Sequence, residues 1–252
     1  MTRDERVSVA ATHTMDNSSS SSEGEKWTDV FGRMAQEGEF DHLHQMAGWK
    51  DLDDPTVWHL YVKDTIGSTN IRSGDRVFEC GCGVGAFLSC VQSIVHGLQL
   101  SGVDASQSCI ERARVNIADG HFMVGLLPEA TKEMQEGSYD AVVCNSVFQY
   151  LPSLDVAETV VNEMLRLSAR SVIIADVCDT EYEALTTRRM KEVWGDKYGH
   201  SLPAYLHIGE EWWGRFAAKC EAITFHRVNV EAYARRKERY VVTMTKKMIK
   251  DT

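Results

Sequence analysis

The chain has 252 residues, which is enough for one domain with a sizeable core and a small additional cap. With 43% hydrophobic and 25% charged residues it has the composition of a soluble globular protein, and its apolar runs are too short to span a membrane. The net charge of −10 argues against nucleic acid as the main partner, because a polyanion binder needs clustered Lys and Arg and the chain has one dense basic run, at 235–239, interrupted by an acid. Composition therefore predicts neither a membrane nor a nucleic-acid partner, and it leaves the oligomeric state open.

The first 26 residues have the composition of a disordered tail. They contain the serine-rich stretch 17–24 and no apolar run of the length that a signal peptide needs. Acidic residues in the same segment argue against an organelle transit peptide. Such a segment cannot bury enough surface to order itself, so we predict that residues 1–26 are disordered.

Residues 27–71 have the helical spacing of an N-terminal cap. Phe31, Met34 and Ala35 fall on one face of a first helix. A later helix is predicted to begin at Pro55, because proline suits the first helical turn. We therefore expect a helical N-terminal cap over residues 27–71.

Strands then alternate with helices. The predicted order is a strand at 76–79, a helix at 86–96, a strand at 98–103, a helix at 106–118, a strand at 121–124, a short helix at 129–135, a strand at 139–144, a helix at 155–167 and a strand at 171–177. This alternation predicts an α/β fold with a mostly parallel sheet and right-handed crossovers. A polar, aromatic insertion at about 179–208 interrupts it. A helix near 210–220 and strands near 222–228 and 240–245 follow, and they predict an antiparallel pair at the sheet edge.

The seven cysteines form an odd, scattered set in mostly apolar surroundings. This distribution predicts free, buried thiols and a reducing cytoplasmic location. Cys80 and Cys82 have no second pair at ligand spacing, so no metal site is expected.

A glycine-rich turn, Gly81-x-Gly83-x-Gly85, follows the first predicted strand and opens a helix. Such turns let a ligand approach the backbone and present free N–H groups. Gly81, Gly83 and Ala86 also satisfy the dinucleotide fingerprint. Glu79, just before the turn, would repel a pyrophosphate and would attract the α-amino group of S-adenosylmethionine (SAM). The turn with Glu79 therefore favours SAM.

Asp104 ends the second predicted strand, where a carboxylate can accept hydrogen bonds from both ribose hydroxyls. SAM and NAD share this requirement, so Asp104 indicates an adenosine ligand without distinguishing the two. The alternative interpretation is that Glu79 and Asp104 only cap helices.

Three segments resemble the class I (Rossmann-like) SAM-dependent methyltransferases: residues 77–85, 102–106 and 138–145. The resemblance implies a seven-stranded, mostly parallel sheet with helices on both faces and a reversed C-terminal hairpin, here over residues 72–247. It also implies SAM as cofactor and S-adenosylhomocysteine (SAH) as product.

By position, the resemblance implies a set of cofactor-binding residues from the methionine end through the ribose to the adenine. The set is Glu79, Gly81, Cys82, Gly83, Gly85, Asp104, Ala105, Leu126, Leu127, Asn145 and Ser146. Many relatives place an Asp after the third strand to bind the adenine amino group, and this chain has no acid there. Backbone groups near Leu126 and Leu127 would then bind the adenine.

The acceptor is expected at the carboxyl ends of the strands, next to the insertion. Residues that could contact it are Phe148, Gln149, Tyr150, Tyr205 and His207. Tyr150 and His207 are candidate general bases, which a hydroxyl or protonated amine acceptor would require. The alternative for most of these aromatics is core or lid packing. The basic run at 235–239 is expected to be solvent-exposed. Arg188 and Arg189 are expected on an exposed helix face, and the alternative is that one of them anchors a carboxylate of the acceptor.

The leading hypothesis is methylation of a small metabolite at N, O or S, because an aromatic pocket suits a small molecule. A protein or RNA methyltransferase is the second hypothesis. The negative net charge and the absence of an Asn-Pro-Pro-Tyr-like motif after the fourth strand argue against it. A non-catalytic SAM-binding partner and an NAD-dependent oxidoreductase are the remaining alternatives.

Overall fold

The structure is a computed structural model that describes residues 26–37, 40–50 and 52–247. The tail predicted at 1–26 lies outside the described residues except for its last position. Three helices precede the first strand: α1 Trp27–Glu37, α2 Leu43–Met46 and α3 Pro55–Gly67. α3 begins at Pro55 as predicted, because the Asp54 carboxylate accepts a hydrogen bond from the Thr56 N–H at 2.8 Å and caps the helix.

Seven strands form one sheet in the order β3-β2-β1-β4-β5-β7-β6. The parallel strands are β1 Arg76–Cys80, β2 Gln99–Asp104, β3 His121–Val124, β4 Tyr139–Asn145 and β5 Ser168–Cys178. The last two strands, β6 Cys220–His226 and β7 Arg239–Lys246, are antiparallel to each other, and β7 is antiparallel to β5. The predicted Rossmann-like sheet with its reversed C-terminal pair is therefore confirmed.

The crossover helices are α4 Ala86–Ile94, α5 Gln107–Asn116 and α6 Leu154–Leu167. Side chains that alternate along the strands fill two hydrophobic layers, one on each face of the sheet. Val77 and Val143 lie in the layer beneath α3, α4 and α5, and Phe78 and Val142 lie in the layer beneath α6. The N-terminal helices contribute to the first of these layers, and the boundary between a cap and a second domain near residue 71 stays a prediction.

Three segments differ from the sequence-based expectation. The helix expected at 129–135 is a single 3-10 turn, Glu129–Thr131, and the one expected near 210–220 is a 3-10 segment, Glu210–Phe216. Gly214 disfavours a regular α-helix in the second segment, whose aromatic side chains are buried instead. The insertion contains an unpredicted helix, α7 Glu183–Trp194. The buried residues of α7 are Thr186 and Met190, so its sequence lacks the repeated apolar positions that predict a helix.

A third apolar cluster joins α1 to the insertion. It includes Trp27 and Val30 of α1, Cys178 at the end of β5, and Tyr198 and Tyr205 of the insertion. α1 is thereby held above the carboxyl end of the sheet. No helix within the described ranges is long and apolar enough to cross a membrane.

Candidate functional site

The glycine turn after β1 has the backbone geometry that only glycine adopts without strain. Gly81, Gly83 and Gly85 have φ values of 71°, 51° and 81°. The N–H groups of Gly81 and Cys82 both donate to the Val103 carbonyl, at 2.7 and 3.0 Å, which fixes the turn against β2. A Cβ on Gly83 would meet nothing within 4 Å, so this side of the turn is open to a ligand.

Glu79 lies at the end of β1, immediately before the turn, and is 2% exposed. Its Oε2 has no hydrogen-bond partner among the residues that the structure describes. Burial raises the pKa of Glu79 well above its ordinary value, and the charge of Asp104 raises it further. A hydrogen bond from the backbone of Leu88 to the carboxylate partly offsets these effects. The buried Oε2 without a partner remains costly, and a ligand cation such as an α-amino group would satisfy it.

Asp104 ends β2 beside the same turn. Its Oδ2 accepts a hydrogen bond from the Gly83 N–H and its Oδ1 accepts one from the Ser106 N–H, both at 2.8 Å. Burial is the main cause that raises the pKa of Asp104. A carboxylate has about four acceptor positions, so Asp104 can orient the turn and still accept hydrogen bonds from a ribose.

The loop after β3 lies next to Asp104, because the Gly125 N–H donates to the Asp104 carbonyl at 2.9 Å. Leu126 on this loop is 67% exposed, whereas Leu127 packs against the α6-side layer. Ala105 precedes the N-cap of α5, Ser106. The structure thus brings Ala105 and Leu126 together around Asp104, on the side where the adenine is expected.

Asn145 and Ser146 lie at the end of β4, on the other side of the glycine turn. The Tyr61 hydroxyl of α3 donates to Asn145 Oδ1 at 2.6 Å. Ser146 has a left-handed backbone, with φ of 56°, and its N–H donates to the Ala175 carbonyl at 3.1 Å. A Cβ on Gly81 would lie 2.4 Å from Val147 Cγ2, so this loop packs directly on the glycine turn.

Asp176, near the end of β5, is a residue of this site that the sequence interpretation missed. It is 3% exposed, has φ of 61° and lies where the register between β5 and β7 shifts. Its carboxylate accepts hydrogen bonds from Ser146 Oγ at 2.8 Å and from the Tyr233 hydroxyl, and Arg239 Nε lies 3.9 Å from it. A strained, buried acid at a strand end is typical of a functional position. The sequence signal was the single acid within the apolar run 171–178.

The basic run at 235–239 is exposed only in part. Lys237 is exposed as expected and Arg236 is half-buried, whereas Arg239 is 2% exposed and its Nη1 donates to the Asp176 carbonyl at 3.1 Å. Glu238 is 4% exposed and pairs with Arg189 at 2.7 Å. The expectation is wrong for these last two residues because the chain there enters β7, an interior strand of the sheet.

The acceptor candidates surround the end of β5 and the insertion. Phe148 is 1% exposed and packs on Trp213, which makes it a core residue, whereas Gln149 is 1% exposed with an Oε1 that lacks a partner among the described residues. The Tyr150 ring lies 5.3 Å from the ring of Tyr205. Gln149 is therefore a buried polar group of this set that a ligand would satisfy.

His207 and the two tyrosines differ in their protonation. His207 Nδ1 lies 3.1 Å from the Tyr205 carbonyl, and its buried Nε2 has no partner in the described part of the chain. Burial lowers the pKa of His207 and raises the pKa values of Tyr150 and Tyr205. At neutral pH the imidazole is consequently uncharged and able to take a proton, and both phenols keep theirs.

α1 covers this edge of the sheet. Trp27 Nε1 donates to the Pro203 carbonyl at 3.0 Å, and the Trp27 ring packs on Tyr150 and Tyr205 at 4.9 and 5.3 Å. At its other end, α1 accepts a hydrogen bond from Arg112 of α5 through the Ala35 carbonyl, at 3.1 Å. α1 therefore runs from the Asp104 side to the insertion, above the candidate site.

Two sequence comparisons bear on this arrangement. Residues 78–170 match a family model described as a methyltransferase domain. The chain is 28% identical over 125 residues to isonocardicin synthase of Nocardia uniformis subsp. tsuyamanensis, covering 46% of this chain and 40% of that protein. It is 24% identical over 140 residues to the ubiquinone biosynthesis O-methyltransferase of Rickettsia bellii (strain OSU 85-389), covering 55% and 54%. The chain thus spans about half the length of the curated relatives it matches.

A solved structure shares the fold. The N-methyltransferase NodS of Bradyrhizobium japonicum WM9, in complex with SAH, has a TM-score of 0.58 to this chain at 16% identity, and the match covers 88% of this chain and 99% of NodS. Residues 78–170 therefore carry a methyltransferase domain, and the whole chain has the Rossmann-like fold of NodS. The domain match confirms the predicted resemblance over the segment that it covers.

Proposed function

We propose that the chain transfers a methyl group from SAM to a small-molecule acceptor with an N, O or S nucleophile and releases SAH. The observation that carries this proposal is the partnerless Oε2 of buried Glu79, next to the open side of Gly83 and one strand from Asp104. A ligand with a cationic amino group and a ribose matches these three features together. A dinucleotide would instead place a pyrophosphate next to the Glu79 carboxylate.

The residues present fit the cofactor along its length. Glu79 would hold the α-amino group, with Gly81, Cys82, Gly83 and Gly85 along the methionine part. Asp104 would bind the ribose, and the remaining members, Ala105, Leu126, Leu127, Asn145 and Ser146, would flank the adenine and the methionine end. SAM supplies an electrophilic methyl group, and the chain supplies the alignment. Holding a nucleophile in line at about 3–3.5 Å can lower the barrier by about 7–11 kcal/mol.

On the acceptor side, Gln149 and His207 would have distinct tasks. Gln149 Oε1 is a buried acceptor without a partner in the described residues, so it can orient an N–H or O–H of the substrate. The uncharged His207 can take a proton from that nucleophile. Tyr150 keeps its proton because burial raises its pKa, so we assign it to the wall of the site and not to proton removal.

The cover over the site supports a small acceptor. Trp27, Tyr150 and Tyr205 form an aromatic wall, and α1 lies across the carboxyl ends of the strands. Enclosed, largely aromatic sites suit small molecules and exclude competing water. A protein or RNA acceptor would need this cover to be displaced.

Binding calorimetry with SAM, SAH and NAD tests the cofactor assignment. We expect SAM and SAH to bind and NAD not to bind, and failure of both sulfur ligands at tens of micromolar would contradict the proposal. A methyl-transfer screen over amine, thiol, hydroxyl and carboxylate metabolites, with SAH formation as the readout, tests the acceptor class. Transfer to protein or RNA substrates alone would replace the small-molecule assignment.

A further inference from the structure

We propose that the acceptor carries a carboxylate, and that Arg235 binds it in a cavity between the loop after α2 and the loop before β7. Methyl transfer to this carboxylate-bearing acceptor rests on the proposed function. Binding of a carboxylate by Arg235 can be tested separately.

The cavity has a volume of about 120 Å³. Trp49, Val57 and Tyr233 provide apolar walls, and Lys50 and Arg235 provide the charged groups. Its size is similar to that of cavities that accept one benzene-sized group. A small apolar body with an anionic end matches this lining.

Arg235 is half-buried, and its guanidinium makes no hydrogen bond or ion pair with any residue in the described ranges. Other arginines near the site are paired: Arg239 lies near Asp176, Arg189 pairs with Glu238, and Arg227 pairs with Asp179. A guanidinium has five N–H donors and is not deprotonated in proteins. Arg235 is thus a cation that still requires an acceptor for its donors.

The local charge balance leaves room for one anion. Arg235 and Arg239 are the cations close to Asp176, whose carboxylate already accepts from Ser146 and Tyr233. Two guanidinium groups with one carboxylate leave one positive charge, and the exposed Lys50 adds another at the entrance. A carboxylate matches the guanidinium in a bidentate arrangement and fits the small volume.

The cavity wall is continuous with the carboxyl end of β4. The Trp49 ring lies 4.6 Å from the ring of Tyr61 and 4.9 Å from that of Tyr233. Tyr61 hydrogen-bonds Asn145, and Tyr233 reaches Ser146 through Asp176. A ligand held at Arg235 would therefore lie against the side chains that position the methionine end of the proposed cofactor site.

Calorimetric titration with benzoate and benzamide tests the proposal, because the two probes share size and shape and differ in charge. We expect benzoate to bind at least about tenfold more tightly than benzamide to the SAH-saturated protein. Arg235→Gln should abolish this preference, and Arg235→Lys should retain part of it. Arg236→Gln, which removes the same charge one residue away, is the matched control and should leave the preference intact.

Equal affinity for the two probes in the wild-type protein would overturn the proposal, as would an equal loss in Arg236→Gln. Tighter binding of phenyl phosphate than of benzoate would overturn the carboxylate assignment. Titrating SAH into each variant separates this inference from the proposed function. Absent SAH binding would contradict the function, whereas intact SAH binding without a benzoate preference would contradict only the role of Arg235.

Discussion

The buried carboxylate of Glu79 lowers stability at neutral pH, and we propose that the same carboxylate binds the cofactor. Burial raises its pKa well above the ordinary value, so folding favours the protonated form. Its stabilising contribution is fully present below the ordinary pKa of a glutamate and is lost as the pH rises towards the raised value. At neutral pH the carboxylate is therefore destabilising until a cationic ligand partners it.

Replacing Glu79 with Gln should separate these effects. We expect Glu79→Gln to melt at a higher temperature than the wild type without ligand and to bind SAH about tenfold or more weakly. For the wild type, SAH affinity should fall as the pH is lowered from 8 to 5, since protonation neutralises the carboxylate, and the variant should show a flatter profile. Differential scanning fluorimetry and calorimetry measure both effects. Unchanged SAH affinity in the variant would refute the assigned role.

The glycines of the turn should differ in what they contribute. Gly81→Ala combines a left-handed backbone with a Cβ that would lie 2.4 Å from Val147, so we expect it to lower the free energy of unfolding by about 2–5 kcal/mol. Gly83→Ala meets no neighbour and should cost only about 1–2 kcal/mol, but its methyl group enters the open side of the turn and should weaken SAH binding. Urea denaturation and calorimetry distinguish these outcomes, and Val147→Ala should partly rescue Gly81→Ala.

His207 is expected to act in its uncharged form. Because its pKa lies below the ordinary value of about 6.5, kcat at saturating SAM should be level between pH 7 and 8 and should fall only at a pH below that ordinary value. His207→Gln should lower kcat more than KM for an acceptor that must lose a proton, and it should remove the acidic limb of the profile. The exposed His200, changed to Gln, is the control. An identical pH profile in both variants would exclude His207 as the base.

Within α1, Trp27 makes the largest contact with the acceptor side. Trp27 is 6% exposed and contacts the insertion through a hydrogen bond to Pro203 and through ring packing on Trp194 and Tyr205. Val30 and Phe31 add apolar contacts to the same cluster, and backbone carbonyls of α1 accept hydrogen bonds from α5. The hydrogen bond and most of the ring packing to the insertion come from Trp27, which is a suitable arrangement for a cover that opens.

Trp27→Ala should release α1 without unfolding the sheet. Removing a buried Trp costs about 3–5 kcal/mol, and that loss falls on the contact between α1 and the insertion. We expect the α1 amides to lose protection from hydrogen exchange, the amides of β1 and β4 to keep it, and bound SAH to dissociate faster. Thr28→Ala, an exposed change in the same helical turn, should have none of these effects. Equal protection of α1 in the two variants would contradict this account.

At the scale of the whole molecule, Asp176 connects distant parts of the chain. Through its hydrogen bonds and ion pair it joins Ser146 after β4, Tyr233 before β7 and Arg239 in β7, and the Tyr233 ring packs on Tyr61 of α3. Removing either partner of the buried pair between Asp176 and Arg239 should lower the free energy of unfolding, because the remaining charge would be buried without compensation.

Asp176→Asn keeps the shape of the side chain and tolerates a left-handed backbone, but it removes the charge and replaces one of the two acceptor oxygens, which bind Ser146 and Tyr233, with an NH2 donor. We expect it to lower the free energy of unfolding by about 3–5 kcal/mol. Urea denaturation measures the change, and Asp119→Asn, an exposed acid at the end of α5, should leave stability within about 0.5 kcal/mol. A similarly small effect of Asp176→Asn would show that the network does not stabilise the fold.

The sheet, its reversed strand pair and the glycine turn flanked by Glu79 and Asp104 could be predicted from the sequence. These features are local: each follows from the alternation of apolar residues along one element, or from residue types at the end of one strand. The positions of the turn and of the two carboxylates therefore follow from one βαβ unit, and their contacts with the cofactor stay a proposal. Adenine recognition remains a prediction for the same reason, since it depends on the loop after β3 and no side-chain signal marks it.

The surroundings of the acceptor side depend on contacts between distant segments. Trp27 meets Pro203 across 176 positions of sequence, and Tyr61 meets Asn145 across 84. In the run 235–239, Arg239 is buried because it begins the interior strand β7, whereas Arg235 lines the cavity because the loop before β7 packs next to Trp49. Charge and polarity along a segment report its composition, whereas burial and pairing depend on which other segments pack against it. The residues around the proposed methyl acceptor are of this second kind, because they come from separate elements that only the folded chain brings together.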